Sequence, residues 1–117
     1  MGVDGIYVSS HGGRQLASAP HPIEILPKIR EALGKDVQIF YDSGLRTGED
    51  LVKAYALGAN FVFMGRPWSL AYAANNQHGI ENYIGYLCKE ASVAMAMIGR
   101  KKIAEICFDD IFWNSKT

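Results

Sequence analysis

His11 and Arg14 stand three residues apart in the run Ser9-Ser10-His11-Gly12-Gly13-Arg14-Gln15, directly after the apolar stretch Gly5-Ile6-Tyr7-Val8. An imidazole moves a proton near neutral pH. A guanidinium grips a carboxylate with two parallel hydrogen bonds. The paired glycines let the backbone turn tightly, and a turn after a parallel strand is where α/β proteins place reactive groups. A polar surface loop with an ordinary histidine fits the same residues. Two further runs set an arginine beside glycine: Asp42-Ser43-Gly44-Leu45-Arg46 and Gly65-Arg66-Pro67. Two arginines next to backbone N–H groups form a site for a phosphate dianion, and Asp42 can accept hydrogen bonds from ligand hydroxyls. The alternative is that Arg46 and Arg66 pair with surface carboxylates such as Glu49 or Asp50. His21, among prolines, reads as a loop residue.

These runs need strands before them and helices after them. The spacing predicts a buried strand over Gly5–Ser9, then a proline-rich loop to Pro22. A helix is expected over Ile23–Leu33, with Ile25, Leu26, Ile29 and Leu33 on one face, Pro27 opening its main segment and Gly34 stopping it. Val37–Tyr41 reads as the second strand. Thr47 and Asp50 form a variant capping box, followed by an apolar stripe of Leu51, Ala54, Tyr55 and Leu57, with Gly58 as the stop. Asn60–Met64 reads as a third strand, buried on both faces. Pro67–Ala74 is expected as a short helix and Asn75–Gly79 as a loop. A long helix then carries Ile80, Ile84, Leu87, Ala91, Met95 and Ile98 on one side up to Gly99, its Met and aromatic residues packing in the core. Lys101–Ile106 starts another helical turn, and the tail from Asp109 has no assignment. The order β-α-β-α-β-α predicts an α/β fold with parallel neighbouring strands.

Composition narrows the function classes. The chain has 117 residues, 49% hydrophobic and 21% charged, which suits one globular unit. Twelve basic and twelve acidic residues cancel, so neither a nucleic-acid surface nor a polybasic membrane patch is expected. No apolar run approaches the roughly 18–20 residues of a membrane span, and Asp4 follows Val3 too closely for a signal peptide. Cys88 and Cys107 match no metal or redox spacing; no metal is predicted, and a reduced, cytoplasmic compartment is the expectation. The ending Ser115-Lys116-Thr117 differs from a peroxisomal address by Thr in the last position and is discounted. A strand beginning within a few residues of Met1 reads as a chain cut from something longer.

The motifs Ser9–Leu16, Asp42-Ser43-Gly44-Leu45-Arg46-Thr47-Gly48, Ala56-Leu57-Gly58-Ala59 and Gly65-Arg66-Pro67 occur in series. In this order and spacing the chain resembles the C-terminal part of the FMN-dependent 2-hydroxy acid oxidases and dehydrogenases. The resemblance implies a partial TIM (β/α)8 barrel corresponding to strands 6–8 and their helices, over residues 1–106, with 107–117 as a tail. It implies FMN as cofactor and oxidation of a small (S)-2-hydroxy acid to the 2-oxo acid. His11 matches the catalytic base, which also contacts substrate, and Arg14 the residue that binds the substrate carboxylate. Asp42 matches a contact to the ribityl chain. Gly44, Arg46, Gly65 and Arg66 match the phosphate cradle. Ser10 stands where many members have Asn, Ala17 where many have Asp, and Ser43 where Gly is frequent.

A whole barrel of this kind takes about 250 residues. The first five strands, with a lysine near the flavin, an aspartate that pairs with the catalytic histidine and tyrosines near the substrate, have no counterpart here. The chain is therefore expected to be inactive alone, and to self-associate or pair with the missing N-terminal half-barrel across an open sheet edge. The alternatives are a non-catalytic FMN- or phosphate-binding half-barrel and another phosphate-binding barrel such as type 2 isopentenyl diphosphate isomerase; the His11–Gln15 run argues against the latter.

Overall fold

The computed structural model describes residues 2–112. Three parallel strands, β1 (Gly5–Val8), β2 (Gln38–Tyr41) and β3 (Phe61–Val62), lie side by side in chain order. Three helices, α1 (Pro22–Leu33), α2 (Gly48–Ala56) and α3 (Arg66–Met97), alternate with them. The predicted α/β order is the observed one.

Alternation along the strands separates the sheet into two unlike faces. Ile39 and Tyr41 point to one face and are fully buried with Leu26 of α1 and with Ala54, Leu57 and Ala59 in and after α2. The opposite face carries Tyr7, Phe40 and Phe61, which stand in one register row across the three strands. These rings are 53%, 36% and 51% exposed. Phe63 joins them edge-on, 5.4 Å from Tyr7 and 6.2 Å from Phe40 between ring centres. The third strand thus departs from its expectation. Only Phe61–Val62 form regular ladder, and the strand is buried on one face, because helices cover one side of the sheet among the described residues. Backbone bonds from Asn60 N to Ile39 O (2.8 Å) and from Phe63 N to Tyr41 O (2.8 Å) still tie it to β2.

The helix boundaries follow their caps. α1 opens at Pro22, where a missing N–H costs little, and ends at Gly34 with φ 69°. Pro27, expected to open the helical segment, lies inside it and gives up one backbone bond. The box at α2 is complete: Asp50 N donates to Thr47 Oγ1 at 3.1 Å, and the Asp50 carboxylate accepts from Thr47 N at 3.0 Å. α2 buries Val52, Ala54, Ala56 and Leu57 more fully than Tyr55, because it packs against α3 as well as the sheet.

α3 differs most from expectation. The break falls on Asn75 and Asn76 alone, with φ −158° and 47°, and helix resumes at once where a loop to Gly79 was expected. Of the predicted stripe only Leu87 is buried; Tyr86 is exposed and Met97 is 83% exposed. Tyr86 and Met97 are therefore surface residues, while Tyr83 and Met95 are half-buried. α3 meets α2 around Leu87–Ala91, and most of its remaining surface is exposed among the described residues. At that contact a β-carbon on Gly48 would stand 2.3 Å from both Ala91 N and Leu87 O, so only glycine lets the two backbones approach. Gly48 N also donates to Glu90 Oε2 at 2.9 Å. Gly99, φ 72°, ends the helical region. Arg100 then grips Asp110 with Nε and Nη2 at 2.8–3.0 Å, and Ile111 packs against the core. The expected turn after Lys101 is a 3-10 turn, Ile103–Glu105. Trp113 and Ser115–Thr117 lie outside the described residues. No described helix is long and apolar enough to cross a membrane.

Candidate active site

Parallel pairing brings the C-terminal ends of all three strands to one edge of the sheet, with the loops that follow them. The β1 loop closes into a 3-10 turn, His11–Gly13, through Gly13 N to Ser10 O at 2.8 Å. His11, Gly12 and Gly13 have φ of 50°, 67° and 72°. Three successive left-handed residues turn the chain sharply, and His11 bears that conformation without being glycine. Its N–H donates to Ser9 Oγ at 2.9 Å, and its ring is exposed. Arg14 lies exposed on the same turn.

The β2 loop starts with Asp42, whose N–H donates to Val8 O at 3.1 Å. Its carboxylate accepts from Tyr7 Oη at 2.7 Å and from Ser43 Oγ at 2.7 Å. Burial pushes this carboxyl up, but hydrogen bonds from Ser9, Tyr7 and Ser43 and the neighbouring His11 outweigh it and hold Asp42 below the usual carboxylate range. Burial and the same Asp42 contact push the Tyr7 phenol up to about 12. Ser43 accepts from Ser10 N at 3.0 Å and from Ser10 Oγ at 2.9 Å. Gly44 follows with φ 80°, and a β-carbon there would stand 3.4 Å from His21 Cε1. His21 is the residue capping α1 at its N-terminus, so its ring lies at the rim of the site.

Arg46 is pinned through its backbone, whose carbonyl accepts from Tyr83 Oη at 2.5 Å. Tyr83 comes from α3 and packs edge-on against Trp68, with ring centres 5.2 Å apart. The β3 loop ends at Gly65, which begins α3 with no side-chain cap. Arg66 is the first helical residue, and its Nη2 lies 3.9 Å from where a β-carbon on Gly12 would stand. The Arg66 guanidinium therefore stands beside the His11 turn. Around Gly13 and Gly65 a β-carbon would meet nothing within 4 Å. Neither guanidinium pairs with Glu49 or Asp50 among the described residues: Glu49 pairs with Lys53 at 2.8 Å, and the Asp50 carboxylate caps α2 and accepts from the backbone N–H of Arg46 at 2.9 Å.

Together these features make a site open to a dianion. The guanidinium groups of Arg46 and Arg66 lack an acidic partner among the described residues, the amides at the start of α3 lack a side-chain cap, and glycines leave room for a ligand. A phosphorylated flavin fits this donor set, with Asp42 beside it as an acceptor. Sequence reasoning singled out His11, Arg14, Asp42, Gly44, Arg46, Gly65 and Arg66. It passed over Tyr7, Ser9, Tyr83 and the side-chain bonds of Ser10 and Ser43, and placed His21 outside the site.

Loops carrying glycines and two arginines thus meet at the C-terminal edge of a parallel sheet, with a histidine and an arginine on the adjoining turn, at the edge where α/β folds place ligands. The profile of the FMN-dependent dehydrogenase family matches residues 1–112. An L-lactate dehydrogenase of Azorhizobium caulinodans is 46% identical over 111 residues, 95% of this chain and 29% of its own length. One from Vibrio cholerae is 44% identical with the same coverage. A solved mandelate oxidase with benzoyl-formic acid superposes with a TM-score of 0.84 at 41% identity, over 88% of this chain and 31% of its own. A mutant flavocytochrome b2 with pyruvate bound gives 0.86 at 40%, over 92% and 29%. The chain belongs to the FMN-dependent dehydrogenase family, a family of enzymes, and spans about 29% of the length of the L-lactate dehydrogenases it matches.

Proposed function

We propose that this chain is the flavin-phosphate and substrate-base portion of an FMN-dependent 2-hydroxy acid oxidoreductase, and that it acts only when the rest of a barrel is supplied. One observation carries the reading: the Asp42 network ties the His11 turn to β2 while the Arg66 guanidinium stands beside that same turn. Cofactor end and reacting end are thus one connected structure. Arg46 and Arg66, with Gly44 and Gly65, hold the phosphate, and Asp42 accepts from a ribityl hydroxyl. Arg14 binds the carboxylate of a small (S)-2-hydroxy acid. A ring nitrogen of His11 takes a proton from the substrate's 2-carbon or its hydroxyl. Bound FMN supplies the two-electron acceptor. Loss of two electrons and two protons gives the 2-oxo acid.

In this reading residues 1–106 are strands 6–8 of a (β/α)8 barrel with their helices, 107–117 are its tail, and the row Tyr7, Phe40, Phe61 is part of the barrel's interior layer. The uncovered row and the open edges of β1 and β3 support it. Two exposed free thiols, Cys88 and Cys107, fit a reducing cytoplasm.

Equilibrium dialysis of FMN against the chain, alone and mixed with the N-terminal portion of a related L-lactate dehydrogenase, tests the proposal. Retention of FMN in the mixture is expected, with about tenfold or greater weakening in Arg46→Ala and Arg66→Ala, since each removes a charge-assisted contact. L-Lactate or glycolate oxidation is expected only in the mixture. No FMN retention in either sample overturns the reading, and ordinary turnover by the chain alone overturns its dependence on a partner. FMN retained by the mixture without turnover assigns the chain to a non-catalytic flavin-binding half-barrel.

A further inference from the structure

We propose that Ser43 is a positioning residue: its hydroxyl latches the His11 turn to the end of β2. The proposal rests on reading His11 as the base. A serine hydroxyl has one proton to give and two lone pairs. Ser43 uses all three, donating to Asp42 Oδ1 at 2.7 Å and accepting from Ser10 N at 3.0 Å and Ser10 Oγ at 2.9 Å.

The backbone at Ser43 shows the cost of this placement. Its φ is 95°, a conformation open to glycine and unfavourable for a residue with a β-carbon. The Tyr41 hydroxyl donates to the Ser43 carbonyl at 2.9 Å and helps to hold it there. A glycine would relieve the backbone and lose the hydroxyl. The serine keeps the hydroxyl at the expense of the backbone, which is the pattern of strain held at a functional position.

A second bond holds the same turn: His11 N donates to Ser9 Oγ at 2.9 Å. The amides of Ser10 and His11 thus each donate to a serine hydroxyl, and that of Ser10 is joined through Ser43 to the Asp42 carboxylate. Ser10 and Ser43 are also two positions at which the motifs depart from the pattern they resemble, and the departures touch each other. The backbone amide of residue 10 supplies one donor to Ser43 Oγ, and the Ser10 hydroxyl adds the second.

Hydrogen exchange and histidine resonances in the flavin-free chain test this. The Ser10 amide reports the latch. The Ile39 amide, which donates to Asn60 Oδ1 at 2.8 Å, reports the core, and His78 on α3 is the reference for the His11 ring resonance. In Ser43→Gly the melting temperature is expected to hold or rise as the positive φ is relieved. Ser10 exchange is nevertheless expected to speed up about fivefold or more with the loss of its acceptor, and the His11 resonance to move while Ile39 and His78 stay unchanged. Ser43→Ala is expected to show the same loop changes with a lower melting temperature. Unchanged Ser10 exchange in Ser43→Gly overturns the proposal, as does a change that only tracks Ile39. Should Ser43→Ala fail to fold, Ser43→Gly decides alone. Neither readout needs flavin, so absence of FMN binding would overturn the proposed function and leave this result standing.

Discussion

Asp42 sits where the loops after β1 and β2 meet, and its carboxylate joins them. It accepts from Tyr7 and Ser43 and faces His11. A carboxyl held below its ordinary value stabilises the folded state at pH above the unfolded value of about 3.9, and that contribution is lost as pH falls through the lower folded value. Thermal melts of wild type and Asp42→Asn should therefore differ at neutral pH, with the variant less stable, and converge in acid below about pH 4. A gap that stays constant through that range would show that the Asp42 charge does not set it. At this scale the sequence displayed the reactive types but not their partners. His11, Arg14 and Asp42 are visible as residues able to move a proton, hold a carboxylate or accept from hydroxyls. The Tyr7–Asp42 bond joins positions 35 apart and the Ser10–Ser43 bonds positions 33 apart. Those separations become contacts only once β1 and β2 pair in one particular register, which no local pattern encodes.

Elements with their own caps were legible, and elements defined by what covers them were not. Thr47 and Asp50 announce α2 locally, and Gly34 and Gly99 stop their helices by taking positive φ. The stripe on α3 promised a buried face because periodicity reports amphipathicity; only a neighbouring element turns that face into core. Here the neighbour is α2, and the contact is set by Gly48. Replacing Gly48 by Ala puts a methyl against two backbone atoms that cannot swing away. We expect a loss of about 1–3 kcal/mol in denaturant unfolding, the range for overpacking at a well-fitted contact. Gly85, where a β-carbon would meet nothing within 4 Å, is the control: Gly85→Ala should hold or raise stability, since alanine favours helix by up to about 1 kcal/mol. Equal losses at both positions would mean that propensity rather than close approach governs.

For the molecule as a whole, the unequal faces of the sheet decide its behaviour in solution. One face is sealed by α1 and α2, and the other presents aromatic rings in a row. An exposed apolar patch of this kind promotes association. Sedimentation of the chain should show concentration-dependent association that Phe61→Lys reduces, with little change in the melting temperature. A monomer at all concentrations, or a variant that associates as strongly, would mean that the row does not drive it. The parallel α/β order was legible from alternating strand and helix patterns. Which face would be covered was not, since Phe61 and Val62 are both apolar and only the placement of helices distinguishes them.

Strand order equals chain order: β1 beside β2, β2 beside β3. No strand has to slip between two that are already joined. Each strand can add to the edge left by the one before, once its connecting helix has folded back. The loop that must close is then always the shortest available, which keeps the entropy of each step small. Refolding can proceed as a zipper from either end, and β2, the one strand with two neighbours among the described residues, is where hydrogen-exchange protection should develop first.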